Sequence, residues 1–281
     1  MPSLTVRDAR LARDVQGRSG PAVVQLHGLT SSRLRETQLG LDLAREVVQD
    51  ASRARVLSYD ARGHGRSTGA LDGTDRPADF AWEHLASDLL EVLDLTFGDQ
   101  PVHGVGPSMG AATLLHAAVR EPERFTGLTL TVPPTVWESR AAQAASYEES
   151  ARLVETEGVE AFLAAGELAP RPPAVADHPL TPPDVAAELL PTVLRGAALS
   201  DLPAPEAVAG LRVPTLLLAW TEDPTHPLDS ARRLQSLIAG SELVVAESPA
   251  HVATWPARFR AQLETAVEGG LRQSGRPAAT R

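Results

Sequence analysis

Val102-His103-Gly104-Val105-Gly106-Pro107-Ser108-Met109-Gly110-Ala111-Ala112 is the stretch around which the rest of the chain is arranged. Its first half is apolar and reads as a buried strand. Its second half runs on into Thr113-Leu114-Leu115-His116-Ala117-Ala118-Val119, which reads as a helix. One serine stands between them, with glycine two positions to either side, giving the pattern G-x-S-x-G. A serine lifted on so sharp a strand-to-helix turn holds a strained backbone. Its flanking positions must lack bulk if strand and helix are to approach each other.

Working outward, strands and helices alternate on both sides. Upstream, residues 4–6 and 11–15 are short strand candidates, 22–28 a buried strand and 55–60 another. Leu39, Leu43, Val47 and Val48 recur at helical spacing after the capping residues Thr30-Ser31-Ser32, and residues 79–97 form a long amphipathic helix. Downstream, residues 125–132 form a strand stopped by Pro133-Pro134. Such alternation implies parallel β-α-β units and a sheet covered on both faces. Between 135 and 211 the pattern becomes helical (138–155, 158–166, 184–198, 204–209), broken by proline-rich stretches and without a strand. Alternation then returns with a strand to Trp220, a helix over 228–238, a strand over 242–246 and a helix over 253–267. The expected organisation is an α/β core of residues 1–134 and 212–268, an inserted helical cap at 135–211, and a flexible tail at 269–281.

Composition narrows the function. At 281 residues, 43% hydrophobic and 22% charged, the chain suits one large globular domain. A net charge of −10 argues against nucleic acid as a partner. All 26 basic residues are arginine, a coding bias that makes arginine a poor marker of phosphate binding here. The absence of cysteine excludes disulfides, a thiol nucleophile and thiolate metal sites. The first ten residues lack an apolar signal core, and no apolar run is long enough for a membrane span. The expectation is a cytoplasmic, soluble protein with a small-molecule substrate.

A serine hydroxyl is a poor nucleophile at neutral pH. It needs a base, and the base needs an orienting acid. In an open α/β sheet such groups gather at the carboxyl ends of the strands. Two strands after Ser108 end in suitable residues: one in Thr221-Glu222-Asp223-Pro224, the other in Glu247-Ser248-Pro249-Ala250-His251. His251 follows the last strand and is the candidate base. Glu222, Asp223 and Asp229 are the candidate acids.

These pieces together resemble the α/β-hydrolase fold enzymes with a helical cap, over roughly residues 4–268. The matching motifs are His27-Gly28 after a strand, Tyr59-Asp60-Ala61-Arg62-Gly63-His64-Gly65-Arg66-Ser67, and Gly106-Pro107-Ser108-Met109-Gly110. Asp223-Pro224-Thr225-His226-Pro227 and Ala250-His251 with Pro256 complete the set. Pro107 and Ala111 depart from common family residues without removing a catalytic group. The resemblance implies a triad of Ser108, Asp223 and His251, with Asp223 preferred because it matches the family's strand-then-Asp-Pro pattern. It also implies an oxyanion hole from the backbone N–H groups of Leu29 and Met109. No cofactor and no metal is expected. The implied activity is carboxylesterase-like hydrolysis of an ester-like bond in a mostly apolar substrate, through an acyl-enzyme. Thioesterase, lactonase, C–C hydrolase, acyltransferase and cofactor-free haloperoxidase chemistry on the same triad are alternatives. A non-catalytic ligand-binding protein is a further one.

The remaining histidines fall into lesser roles on this reading. His27 and His64 hydrogen-bond loops, and His103 is a core residue. His226, three residues past the acid, is expected at the surface, with the pocket wall as its alternative. Trp137 and Trp220 flank strand ends, where either could wall an acyl pocket or simply pack.

Overall fold

The computed structural model describes residues 2–49 and 54–273. Two strands, β1 (Ser3–Val6) and β2 (Ala9–Gln16), open the chain as an antiparallel pair. They are followed by β3 (Ala22–Gln25), α1 (Arg33–Leu39), α2 (Leu43–Gln49) and β4 (Arg55–Tyr59). Next come α3 (Trp82–Phe97), β5 (Val102–Pro107), α4 (Met109–Arg120) and β6 (Phe125–Thr131). Helices α5 (Arg140–Glu157), α6 (Val159–Leu168), α7 (Leu190–Ala198) and α8 (Pro205–Ala209) precede β7 (Thr215–Trp220). The chain closes with α9 (Leu228–Leu237), β8 (Glu242–Ala246), α10 (Pro249–Val252) and α11 (Trp255–Gln273).

The eight strands form one sheet in the order β1-β2-β4-β3-β5-β6-β7-β8. From β4 to β8 every pairing is parallel, while β1 and β2 join antiparallel at one edge. Period-two alternation sends neighbouring side chains into two cores. Val24 and Leu217 join a core with Trp82, Leu89 and Leu114 of α3 and α4. Val23 and Leu216 join another with Leu43 of α2 and Trp255 and Phe259 of α11. Burial of this apolar surface on both faces is the main driving force for the fold.

Several sequence boundaries move for local reasons. The helix expected through Leu39 and Val48 is split at Gly40, whose φ of 70° ends α1 in a left-handed cap. Asp79 lies in a short 3-10 turn, Pro77–Phe80, so the long helix begins at Trp82. The helix expected from residue 184 begins at Leu190, because Asp184 and Val185 pair with other chain segments. The Asp184 N–H donates to Thr30 O at 2.8 Å, and Val185 forms an isolated bridge with His64. At the far end α11 continues to Gln273, past the point where the tail was expected; residues 274–281 lie outside the described set. Between β6 and β7 the described residues hold helices, turns and that one bridge, but no strand.

Candidate active site

The turn after β5 has the strain its glycines imply. Ser108 sits at φ 50°, ψ −113°, a conformation sparsely populated for any residue with a side chain. Its N–H is held by Thr131 O at 3.0 Å. A Cβ on Gly106 would lie 2.9 Å from the Leu26 Cβ, and one on Gly110 would lie 2.9 Å from the same atom and 3.0 Å from His27 O. Neither position tolerates a side chain without movement of β3. Met109 is the first residue of α4, so its N–H has no acceptor within the helix.

The exit of β3 is fixed from below by a buried histidine. The Ala61 N–H donates to His27 Nε2 at 2.8 Å, so Nδ1 carries the ring proton and donates to Gly28 O at 2.8 Å. Burial lowers the His27 pKa, which keeps this neutral tautomer in place. His64 is likewise tied to a loop carbonyl, Arg62 O, at 2.8 Å. His103 is fully buried within β5 against Thr129 and Phe259. These three histidines hold backbone and core.

At the end of β7 the chain turns through Glu222, at φ 60°, into Asp223-Pro224-Thr225-His226. Asp223 organises this turn with both oxygens. Oδ1 accepts the N–H groups of Thr225 (2.9 Å) and His226 (3.1 Å). Oδ2 accepts the Trp220 indole N–H at 2.7 Å and His226 Nδ1–H at 2.8 Å. Burial would raise the Asp223 carboxyl, but its bonds to His226 and Trp220 outweigh that effect and hold it at about 2. With its proton on Nδ1, His226 presents a bare Nε2 to Ser108 Oγ, 2.9 Å away. The Trp220 indole also stacks on Trp255, ring centres 5.8 Å apart, and meets His226 edge-on.

The structure therefore brings together Ser108, Asp223 and His226, and it does not bring His251 to them. His251 lies on α10 beyond the edge strand β8. Its side chain is exposed, and its Nδ1 accepts the Glu247 N–H at 3.1 Å. The position over Ser108 is taken by His226 instead, because the Asp223 turn folds its third residue back toward β5. The hint was in the sequence as an Asp-x-x-His step, but surface exposure was the expectation for His226. Of the other candidate acids, Asp229 is exposed and pairs with Arg232. Trp137 is turned away from the site, its indole donating to Pro203 O at 3.1 Å. Trp220, by contrast, both walls the cavity and holds the carboxylate.

Ser108 and His226 open into a cavity of about 370 Å³, roofed by Tyr147, Phe162 and Leu194 of α5, α6 and α7 and bordered by Leu29 and Glu36. Among the described residues no three His, Asp or Glu side chains group as a metal site, and no helix is long and apolar enough to cross a membrane.

Comparison with known proteins points the same way. The protein named "Putative carbamate hydrolase RutD" of Pseudomonas savastanoi pv. phaseolicola is 28% identical over 205 residues, 70% of this chain and 76% of its own. The 3-oxoadipate enol-lactonase 1 of Acinetobacter baylyi is 25% identical, covering 72% and 74%. Among solved structures, the enol-lactonase of Burkholderia xenovorans superposes with a TM-score of 0.71 at 22% identity, over 95% of this chain and 98% of that one. A thermophilic esterase of Thermogutta terrifontis gives 0.71 at 20% identity, over 97% and 99%. The sequence pattern of the alpha/beta hydrolase fold matches residues 21–165, just over half of the chain. With the strand order, the serine turn and this match in agreement, the chain belongs to the alpha/beta hydrolase fold family.

Proposed function

We propose that the protein is a serine hydrolase cleaving an ester-like bond of a small or medium, largely apolar substrate through an acyl-enzyme. Ser108 is the nucleophile, His226 the general base and Asp223 the carboxylate behind it. The observation that carries this reading is the unbroken hydrogen-bond chain from Asp223 through His226 to Ser108 Oγ, at the floor of a cavity whose wall mixes apolar and polar side chains.

The chemistry follows from the tautomer. Nε2 takes the hydroxyl proton as Oγ attacks the carbonyl carbon, and Asp223 stabilises the imidazolium that forms. The Met109 N–H, at the positive end of α4, and the Leu29 N–H receive the oxyanion; one such donor is worth about 2.7–4 kcal/mol in comparable sites. Collapse of the intermediate expels the alcohol, which takes its proton from Nε2–H. Water then repeats the attack on the acyl-enzyme with the same base. The helices over residues 135–211 act as the cap that selects the acyl group. The names of the relatives, enol-lactonase, carbamate hydrolase and esterase, all denote cleavage beside a carbonyl.

The test is covalent labelling with a fluorophosphonate, read as intact mass, on four proteins. The wild type is expected to take one adduct and Ser108→Ala none. His226→Ala is expected to label more slowly by about three orders of magnitude, whereas His251→Ala labels at the wild-type rate. The same order should hold for hydrolysis of short-chain aryl esters. Loss of labelling in His251→Ala with His226→Ala unaffected would transfer the base role to His251 and overturn the assignment made here.

A further inference from the structure

Beside the active-site cavity lies a second one, of about 260 Å³, between α6 and residues 180–183. The two cavities meet, because Thr30, Phe162 and Thr181 line both. One face of α6 makes one wall of the second cavity: Phe162, Leu163, Gly166 and Glu167 recur there at helical spacing. The other wall, Leu180-Thr181-Pro182-Pro183, lies outside helix and strand, since each proline lacks an N–H and keeps the residue before it out of the helical region. The end of this segment is pinned to the exit of β3. The Asp184 N–H donates to Thr30 O at 2.8 Å, and the Ser32 hydroxyl donates to Asp184 Oδ2 at 2.6 Å. Thr30 follows Leu29, so the second cavity begins one residue from a proposed oxyanion donor.

Helix α6 leaves its apolar surface uncovered. Apart from Glu160, Gly166 and Glu167 its residues are apolar, yet none of them is buried. Val159 and Phe162 lean on the cluster of Tyr147, Leu190 and Leu194. Leu168, however, is 86% exposed, and Leu180, across the second cavity, is 57% exposed. Apolar surface gathered around a cavity and left in water is a place where an apolar ligand gains by binding. Continuity says which ligand: the second cavity is reached from Ser108 past Phe162. The wall also has room to spare. A methyl group built on Gly166 meets no atom within 4 Å, so this glycine leaves open a space that a larger side chain would occupy.

Building on the serine hydrolase reading, we propose that the second cavity is a subsite for the far end of an apolar chain carried by the ester, with Phe162 at the junction and Gly166 setting the depth. The substrate class is then a medium-chain ester, with its carbonyl at Ser108 and its last carbons against Leu163, Leu180 and Pro182. Each methylene that leaves water there raises kcat/KM by roughly two- to fourfold. The chain can belong to the acyl or to the alcohol half, which present the same chemistry to this wall, and the experiment separates the two.

Two ester series are compared. Nitrophenyl acetate, butyrate, hexanoate and octanoate lengthen the acyl half; ethyl, butyl, hexyl and octyl acetate lengthen the alcohol. In at least one series, wild-type kcat/KM is expected to rise by about tenfold or more from the butyl-length to the octyl-length member. Gly166→Leu, whose side chain enters the open space, is expected to bring that ratio to about one, and Gly166→Ala to leave it in between. The series whose gain Gly166→Leu abolishes identifies the half that occupies the subsite. Alanine and leucine are both better helix formers than glycine, so α6 is not weakened by either change. Only ratios within one protein are read, so a general change in rate does not bear on the outcome. Fluorophosphonate labelling of Ser108 tests the hydrolase reading separately. Wild type that labels but is indifferent to length in both series, or a gain that survives in Gly166→Leu, overturns the subsite alone. A surviving gain accompanied by a shift to smaller species in sedimentation would assign the uncovered face of α6 to a contact between copies of the chain instead.

Discussion

Glu36 holds its proton through a pH range in which an exposed glutamate has long lost it, and this has a consequence for stability. The folded-state pKa of about 7 lies above the ordinary 4.5 of the unfolded chain. Between those values the native state binds the extra proton, so stability falls as pH rises through the window and the full loss is present above it. A shift of this size corresponds to about 3 kcal/mol. Urea unfolding of wild type and Glu36→Gln at pH 4.5 and pH 8 should show the variant gaining by up to that amount at the higher pH and little at the lower. Equal pH dependence in both proteins would place the carboxyl in water. Asp223 runs in the opposite sense: its four hydrogen bonds keep it charged down to about pH 2.

Local conformation at the strand ends repeats a theme. Thr30, Ser108, Val132 and Glu222 follow β3, β5, β6 and β7, and each has positive φ, between 40° and 60°. For a β-branched residue such as Val132 this is costly, by about 1–3 kcal/mol. Four adjacent strands thus end in strained turns that aim side chains and N–H groups into one cavity. The serine turn was legible in the sequence because its steric demand falls on glycines, which are visible as letters. Gly110→Ala tests that demand. Its Cβ would press on Leu26 and His27 O, so a loss of about 1–3 kcal/mol is expected in urea unfolding, with labelling of Ser108 slowed. An unchanged midpoint and labelling rate would mean that β3 yields easily. Less legible was which histidine meets Ser108: His251 was favoured because it follows the last strand, and His226 was expected at the surface. What decides between them is the bonding of Asp223 to two N–H groups of its own turn, a three-dimensional closure that letters do not display. The parallel sheet, by contrast, was readable from alternation, since burial on both faces leaves continuous apolar strands. Breaks set by a local cap or by pairing with distant segments, as at Gly40 and Asp184, escaped the reading.

Across the whole molecule, one buried cation helps to tie the helices over the cavity to the core. Arg140, in the first turn of α5, donates to Ser200 O, Ala197 O and Thr135 Oγ1. Its guanidinium lies 4.2 Å above the Trp82 ring of α3 and 5.3 Å from that of Tyr147. One side chain thus joins α5, the end of α7 and the core. Arg140→Met keeps the length but leaves those carbonyls without a donor, and a loss of about 2–3 kcal/mol is expected. Limited proteolysis should then cut first within 135–211 while the remainder stays resistant. Uniform digestion along the chain would show instead that the two parts unfold together.

The Asp223 turn also decides which displacements of the sheet edge reach the site. On the assignment proposed above, acid and base are three residues apart on one short hydrogen-bonded loop, rather than on two neighbouring strand ends. Sliding of β7 against β8, or fraying of that edge, leaves their mutual geometry intact. What stays open to change is the placement of this turn against the serine elbow. The distance from Ser108 Oγ to His226 Nε2 is then the gauge of whether the proposed triad is assembled.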